Sequence, residues 1–550
     1  MGIKDYIKFV RTSYGSACQA RWLNSYNRVY IDLNHALHHV CYTSKSTKEV
    51  LYKIKMYLST LLASYVPTTS LYIAADGAAP IAKMMLQRSR RHDKVKTLDS
   101  TEDIDLIRNL SLCFTPGTEF MRKLETELYY FKTYAIMMYN ITVEIDITDP
   151  DEGEIKVRHK IGLHKETDLK SNKSHNYTYA VYSGDADTIL LLMSLSDTSG
   201  VYQIVDRSTI VSIDGVLMAH TSKYCNSVTT TGTDTKQIKM DYIFLNLLFG
   251  NDYLPKVLYL TLQHVWESYA ALYKCFKTLV SYDKNTHTLS INKEFMVGLI
   301  IYASSRNKYR KSYDAKYDFD NNINNNNNNT DRYTNYMRGV AWCFDMYYNG
   351  VCYDYRYVCR ITAPHYIGVM CQILGQNTYT VSQTNRIDSD LYGILLIPEK
   401  ASALLSAEQK QHAAKLVSAH PVMYEASRCQ KCVELSKTIT SYNKTAQSIR
   451  NELSELSELS ERSERSELAE QSDDEQSEQS GGSDQDGSDQ AEQTEDALIK
   501  KKATKAEVLQ KIRRSVSALK RHRRTHKPLT VKGIQLIEET YRTLQNKKQV

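Results

Sequence analysis

Over residues 1 to about 302, short apolar runs alternate with amphipathic stretches, a pattern that predicts strands alternating with helices. Arg28–Leu33 (RVYIDL), Ser70–Asp76 (SLYIAAD) and Tyr177–Asp187 (YTYAVYSGDAD) read as buried or half-buried strands, each apolar and then carrying aspartate at its end. Gly200–Asp214 (GVYQIVDRSTIVSID) is a further strand-like stretch. Asp241–Asp252 (DYIFLNLLFGND) is longer, which favours a buried helix running into a turn. The alternation implies an α/β core with a mostly parallel central sheet, and in such sheets chemistry collects beyond the carboxyl ends of the strands.

The pattern stops at residues 303–330, a polar, asparagine-rich variable linker. It resumes from Tyr333 with aromatic-rich sequence, giving a second globular region over 331–446. Residues 447–499 are acidic and of low complexity. Their triplet repeat (NELSELSELSERSERSEL) cannot hold one stripe on a helix of 3.6 residues per turn. Residues 500–550 form a basic tail, partly helical in pattern. Together these last two segments predict a disordered, charged C-terminal tail.

Composition narrows the class. No apolar run reaches the length of a membrane span, so no membrane partner is expected. The start, MGIKDYIKF, lacks the apolar segment of a secretory signal, and Tyr6 stands where myristoylation wants Ser or Thr. The 11 cysteines are scattered, as in reduced intracellular proteins, and the CxxC of Cys429 and Cys432 has no second ligand pair nearby to make a zinc site. The formal charge of +7 conceals 17 acidic against 2 basic residues over 451–496 and 16 basic against 3 acidic over 500–550. The remainder keeps a mild basic bias, compatible with nucleic-acid binding. The basic clusters Lys500–Lys502 and Lys520–Arg524 suit nuclear targeting, RNA contact, or a solvated tail folding back on the acidic tract, and leave nucleus and cytoplasm undecided.

Seven carboxylates carry the candidate chemistry: Asp32, Asp76, Glu152, Glu154, Asp185, Asp187 and Asp252. Gathered in one place they repel strongly, and hard oxygen donors in that number suit Mg²⁺ or Mn²⁺. Glu152/Glu154 and Asp185/Asp187 put acids two residues apart around a Gly or Ala, as a pair of ions held close together for phosphodiester hydrolysis requires. Singly, such motifs are common solvated turns; their joint presence is the signal. Directly after Asp76, Pro80 suits the first turn of a helix on which Lys83, Gln87, Arg90 and Arg91 fall on one face. Such a face can clamp a terminal phosphate, and standing alone it would be an ordinary solvated basic helix.

These stretches resemble the catalytic core of the XRN family of 5′→3′ exoribonucleases. The resemblance rests on YIDLNHALHH, IAADGAAPIAKMMLQRSRR, CFTPGTEFM, DEGEIK, YSGDADTILLL and DYIFLNLLFGNDYLPKV. It extends to YMRGVAWCFDMYYNGV with Ala363–His365, and to LYGILLIPEKASALL, covering roughly residues 1–420. It implies a flap-endonuclease-like (PIN-like) nuclease core over 1–302, completed by the family's second conserved region. It further implies two-metal ligation by the seven acids, capture of a 5′-monophosphate by Lys83, Gln87, Arg90 and Arg91, and stacking of His38 on the first base. The implied activity is release of mononucleotides from decapped or cleaved single-stranded RNA by a monomeric enzyme. Two departures stand out. CYDYRYVC replaces the family's tryptophan-rich element, which leaves Tyr353 or Tyr355 as the second stacking partner, and Asp151 adds a charge beside the acids. So compact a form, with an asparagine run, resembles those of large DNA viruses. Competing readings are a flap-type nuclease acting on DNA or RNA structures and a non-catalytic binder of 5′-phosphate RNA ends.

Overall fold

The computed structural model describes residues 2–95, 110–171, 177–225, 232–306, 327–420 and 530–546, apart from Lys4 and Thr362, with scattered positions between 438 and 518. Cys429, Cys432, Lys520–Arg524 and nearly all of the acidic tract and asparagine-rich linker lie outside the described residues. The chain divides into two compact units, Met1–Leu416 with Val531–Val550, and Val417–Thr530. In the second, Ile449 and Val508 are buried with Tyr442 packed against them.

The first unit is built on a seven-stranded sheet: β1 (Cys18–Gln19), β2 (Ser25–Asp32), β3 (Val66–Ala74), β4 (Thr142–Asp146), β5 (Tyr179–Tyr182), β6 (Val201–Asp206) and β7 (Thr209–Ser212). Their order is β1-β7-β6-β5-β2-β3-β4. The pairs β2–β3, β2–β5, β3–β4 and β5–β6 are parallel, and only β7, which pairs antiparallel with both β6 and β1, runs against the rest. The period of two is visible in the burial. Val29, Ile31, Leu71 and Ile73 enter one core, whereas Tyr30, Tyr72 and Val181 enter the core on the opposite face. In register, Asp32 stands opposite Ala74, Ile31 opposite Tyr182, and Ala74 opposite Asp146, so the carboxyl ends of β2, β3, β4 and β5 form one edge.

Two strand features differ from the sequence reading. Gly200–Asp214 resolves into an antiparallel hairpin, β6–β7. The edge strand β4 was not anticipated, because its half-exposed, charged TVEID sequence lacks the apolar run of a central strand. A second sheet of three strands, β8 (Val280–Asp283), β9 (Thr288–Ile291) and β10 (Thr378–Thr380), pairs the two regions across the asparagine-rich segment.

The helices that frame the site are α1 (Leu33–Cys41), α2 (Ile81–Val95), α3 (Gly153–Lys170), α4 (Gly232–Leu247), α5 (Asn327–Asn349), α6 (Ser389–Leu396), α7 (Ala407–Ala419) and α8 (Val531–Asn546). Helix α4 confirms the helical reading of its apolar segment. Tyr336, Met337, Val340 and Phe344 of α5 enter the same core as Val181 and Leu190, so the second region shares the first region's interior. Helix α8 corrects the expected solvated tail: Ile534 and Ile537 are fully buried and Tyr541 is 2% exposed. These residues fall at i, i+3 and i+7, a stripe that the basic composition of the tail obscures.

Helix α3 is locked to the sheet by a buried ion pair. Arg28 on β2 reaches both oxygens of Asp168, at 2.9 and 2.6 Å, and the Tyr179 hydroxyl donates to the same carboxylate at 2.7 Å. Burial alone would raise Asp168; the Arg28 and Tyr179 hydrogen bonds outweigh it and hold the carboxyl below its usual range. Asp168→Ala leaves a buried guanidinium without its partner and is expected to cost about 3–5 kcal/mol in denaturant unfolding. Replacing both residues by apolar ones of similar size is expected to cost less. A loss below about 1 kcal/mol for the single change, the range of an exposed pair, would refute the buried-pair assignment.

Candidate active site

Six of the seven predicted acids lie along the carboxyl edge of the sheet or on the loops that leave it, and Asp252, on the turn after α4, joins them through Lys83. Asp32 is the last residue of β2 and caps α1, accepting from the Asn34 and His35 amides at 3.0 and 3.4 Å. Asp76 follows β3 and accepts from the Gly153 amide at 2.9 Å. Glu152 caps α3 by position and Glu154 sits in its first turn. Gly153 between them has a purpose: a Cβ there would lie 3.3 Å from an Asp32 oxygen and 3.6 Å from one of Asp76. Asp185 and Asp187 follow β5, and Ser183 joins the two halves, its hydroxyl 3.4 Å from Asp32 and 3.5 Å from Glu154. Asp187 accepts from the Ile3 amide at 2.8 Å and from the Tyr347 hydroxyl at 3.1 Å. Gly2, at φ +75°, lies against Asp185 and Asp187 so closely that a Cβ would be 2.2 Å from an Asp185 oxygen.

The electrostatics divide the cluster. Burial, and next the charge of Asp76, pushes Asp32 up to about 8. Burial and Asp185 do the same to Asp187, also to about 8, and burial with Asp185 and Asp32 raises Glu154 well above the usual range. Asp252 behaves oppositely. Burial would raise it, but Lys83 and then Arg90 hold it below the ordinary carboxylate value. Lys83 bridges Asp252 and Glu152, 2.6 Å from the latter. Glu152 also accepts from the Tyr253 hydroxyl, and burial still leaves it raised.

The basic helix α2 is present as predicted, with its four polar residues differently engaged. Lys83 is an acid partner. Gln87 Oε1 accepts from the Tyr392 hydroxyl of α6 at 3.1 Å. Arg91 donates from Nε to Thr115 at 2.8 Å, and burial lowers its pKa. Arg90, 3.4 Å from Asp252, has the more open side chain of the two that pair with that acid, 36% exposed against 12% for Lys83. His38 on α1 is exposed, with its ring edge-to-face with Phe114 at 5.5 Å. Desolvation, then the nearby Lys94, lowers it, and Asp76 and Arg91 act on it as well, which puts it beside the basic helix.

Of the two tyrosines offered as stacking partners, Tyr355 has its ring buried and Tyr353 stays half-exposed. Tyr355 is 2% exposed, with its hydroxyl on Asp151. Tyr353 packs on His287 at 4.2 Å, beside β9. Asp151, at φ +80°, likewise turns its carboxylate to Tyr355, and Arg386 and Lys156 act on it rather than the acid cluster. Residues that sequence reasoning missed are Tyr392, Thr115, Tyr347, Tyr253 and Ser183. Thr115 and Tyr392 fall in the recognised stretches CFTPGTEFM and LYGILLIPEK, but nothing in those strings marks them as reaching α2.

Among the described residues, no group of three or more His, Cys, Asp or Glu side chains is arranged to enclose a metal ion. The chemistry of the donor set nevertheless fits a hard divalent cation. The donors are all carboxylate oxygens, and Asp32, Glu154 and Asp187 are raised first by burial and then by the charge of their neighbours, which a divalent cation would offset.

Comparison with known proteins agrees with this geometry. Residues 1–202 match the family model described as XRN 5'-3' exonuclease N-terminus. Over those residues the chain is similar to the XRN family. It is 29% identical over 298 residues to 5'-3' exoribonuclease 1 of Schizosaccharomyces pombe, covering 46% of this chain and 22% of that protein. It is 25% identical over 325 residues to the Homo sapiens protein of the same name, covering 51% and 19%, and 30% identical over 220 residues to that of Saccharomyces cerevisiae, covering 35% and 14%. The matches thus span less than a quarter of each of these relatives. The XRN model ends at β6, so it contains six of the seven acids and all of α2, and Asp252 lies beyond it.

The raised carboxyls give a signed pH dependence for protein kept in chelator. Their folded-state values lie above the unfolded value of about 4, so their contribution to stability is complete below that pH and is lost as pH rises through about 8. Asp187→Asn removes one such group. By calorimetry it is expected to raise the Tm of metal-free protein by about 2–4 °C around pH 8, and by less in mildly acid buffer. A difference in Tm that does not change with pH would contradict the repulsion.

Proposed function

We propose that this chain is a metal-dependent 5′→3′ exoribonuclease that releases mononucleotides from single-stranded RNA bearing a 5′-monophosphate, in RNA turnover, and that it acts as a monomer. The observation that carries the reading is the junction at Lys83, where a helix bearing Gln87, Arg90 and Arg91 meets the seven carboxylates. The mixed sheet with acids at its carboxyl edge supports a flap-endonuclease-like, PIN-type core. The printed names of the relatives support the activity and its direction.

Two Mg²⁺ or Mn²⁺ ions held by Asp32, Asp76, Glu152, Glu154, Asp185, Asp187 and Asp252 would supply a hydroxide nucleophile and charge stabilisation at the leaving oxygen. The chain's own residues do the rest. Arg90 presents a planar fork to the terminal phosphate, Gln87 and Arg91 line the same helix, and Lys83 adds a point charge. Tyr392 and Thr115 fix the rotamers of Gln87 and Arg91, so the helix meets the phosphate preorganised. His38, lowered by desolvation and held edge-on by Phe114, offers a neutral ring face to the first base.

The test is incubation of purified protein and Mg²⁺ with 3′-labelled RNA carrying a 5′-monophosphate, a 5′-hydroxyl or a triphosphate. Mononucleotide release is expected from the monophosphate alone, and Asp187→Ala is expected to lower the rate at least about 10²-fold while sparing the fold. Intact RNA in every lane would sink the proposal. Arg90→Ala is expected to cut the preference for 5′-phosphate over 5′-hydroxyl by roughly 10–100-fold, the worth of one charge-assisted hydrogen bond. Full discrimination by that variant would show that the phosphate binds elsewhere.

A further inference from the structure

Helix α8 lies far along the chain from the rest of its unit, yet it is packed as firmly as any core helix. Ile534, Ile537, Glu538 and Tyr541 form its buried stripe. The Tyr541 ring meets His412 of α7 edge-on, with centroids 5.1 Å apart at 80°. Glu538 is 5% exposed, and both its oxygens face Arg356 Nη2, at 2.9 and 2.7 Å. A stripe meant only to fill space would be served by another apolar residue. Burying a carboxylate and a guanidinium together is costly unless the pair fixes something.

What Arg356 fixes is the loop that ends at the basic helix. The Arg356 amide donates to Asp354 Oδ1 at 2.8 Å, and Thr384 Oγ1 donates to the same oxygen at 2.9 Å. Thr384 Oγ1 in turn accepts the Tyr355 amide at 2.8 Å. The Tyr355 carbonyl then accepts the amide of Ile81, the first residue of α2, at 2.9 Å. That amide is one of the donors a helix start leaves unsatisfied, so the loop caps the helix that carries Lys83, Gln87, Arg90 and Arg91. The Tyr355 hydroxyl, on Asp151, ties the same loop to the residue before Glu152.

We propose that Glu538 is a positioning residue for the 5′-phosphate pocket, acting through Arg356 and the 354–356 loop on the first turn of α2. The C-terminal helix is thereby a working part of the nuclease, clamped onto it across the charged segment. The proposal rests on the pocket assignment made above, so its test has one arm that needs no activity.

The full-length chain is prepared with Glu538→Gln, with Glu538→Arg, with Arg356→Glu, and with both reversals together. Amide exchange over residues 81–84 is followed, with β2 and β3 as internal reference. In parallel, KM and kcat are measured on 5′-phosphorylated and 5′-hydroxyl RNA. Glu538→Arg is expected to speed exchange at residues 81–84 by about 10-fold, the loss of roughly one charge-assisted hydrogen bond, with β2 and β3 unchanged. It is expected to raise KM for 5′-phosphorylated RNA several-fold with kcat nearly intact, and the double reversal is expected to recover most of both effects. Unaltered exchange at 81–84 in a variant whose α8 has lost its own protection would overturn the proposal. So would a loss of protection spread evenly over β2, β3 and α2 with no recovery in the double reversal, which would mark α8 as structural ballast. A fall in kcat with KM unmoved would count equally against it. Should the parent protein release no nucleotide from any RNA, the pocket assignment fails, and the exchange arm still decides whether Glu538 controls the start of α2.

Discussion

The rest of the site depends on one buried ammonium, that of Lys83, placed between Glu152 and Asp252. Seven carboxylates drawn together cannot all be ionised in a protein interior, because both burial and mutual repulsion oppose it. The fold resolves this in two ways. On the side facing α2, Lys83 and Arg90 neutralise Asp252, which stays acidic. On the side facing the sheet, no Lys or Arg among the described residues pairs with Asp32, Glu154 or Asp187, and burial and neighbouring charge push all three toward the protonated form. The cluster is therefore polarised, with one half satisfied by the chain itself and the other by protons that a divalent cation would displace.

Parallel topology makes this concentration of charge possible. Crossovers return each parallel strand to the same starting edge, so β2, β3, β4 and β5 all release their next residues on one side. The second region then closes that side. Tyr347 from α5 reaches Asp187, Tyr392 from α6 reaches Gln87, and the Tyr355 carbonyl reaches the start of α2. Each orients a polar group of the site, and each comes from beyond the asparagine-rich segment. The shared core of the two regions makes those contacts rigid.

Legibility in the sequence followed from how local each signal was. Strands ending in aspartate were readable because a parallel strand is apolar throughout and the acid follows it directly. Helix α2 was readable from its spacing. What spacing could not give was the partner of each basic residue. Lys83 reads as a phosphate ligand until Asp252, which lies far along the chain, is seen to share it. The place of Tyr355 was hidden for the same reason: composition offered two aromatic faces, but burial and the pairing of Tyr355 with Asp151 took that one away. The two departures from the family pattern thus meet each other, the added acid at 151 accepting the hydroxyl of the tyrosine at 355. Helix α8 was hidden by net charge, since three buried side chains in a strongly basic tail hardly alter its average.

The exposure gradient along α2 orders the events at the pocket. Arg90 is more open than Lys83, which is three times less exposed, and Arg91 is half-buried against Thr115. Under the proposed function an arriving phosphate would meet Arg90 first. It would gain Lys83 only if Glu152 and Asp252 gave that ammonium up, which costs little only when another cation takes its place. Divalent-ion binding and phosphate binding would then favour each other through Lys83, with equal coupling in both directions. A basic helix set directly against an acid cluster, which looks self-cancelling in the resting protein, is an arrangement that under the proposed function would let ion occupancy govern when the phosphate clamp becomes available.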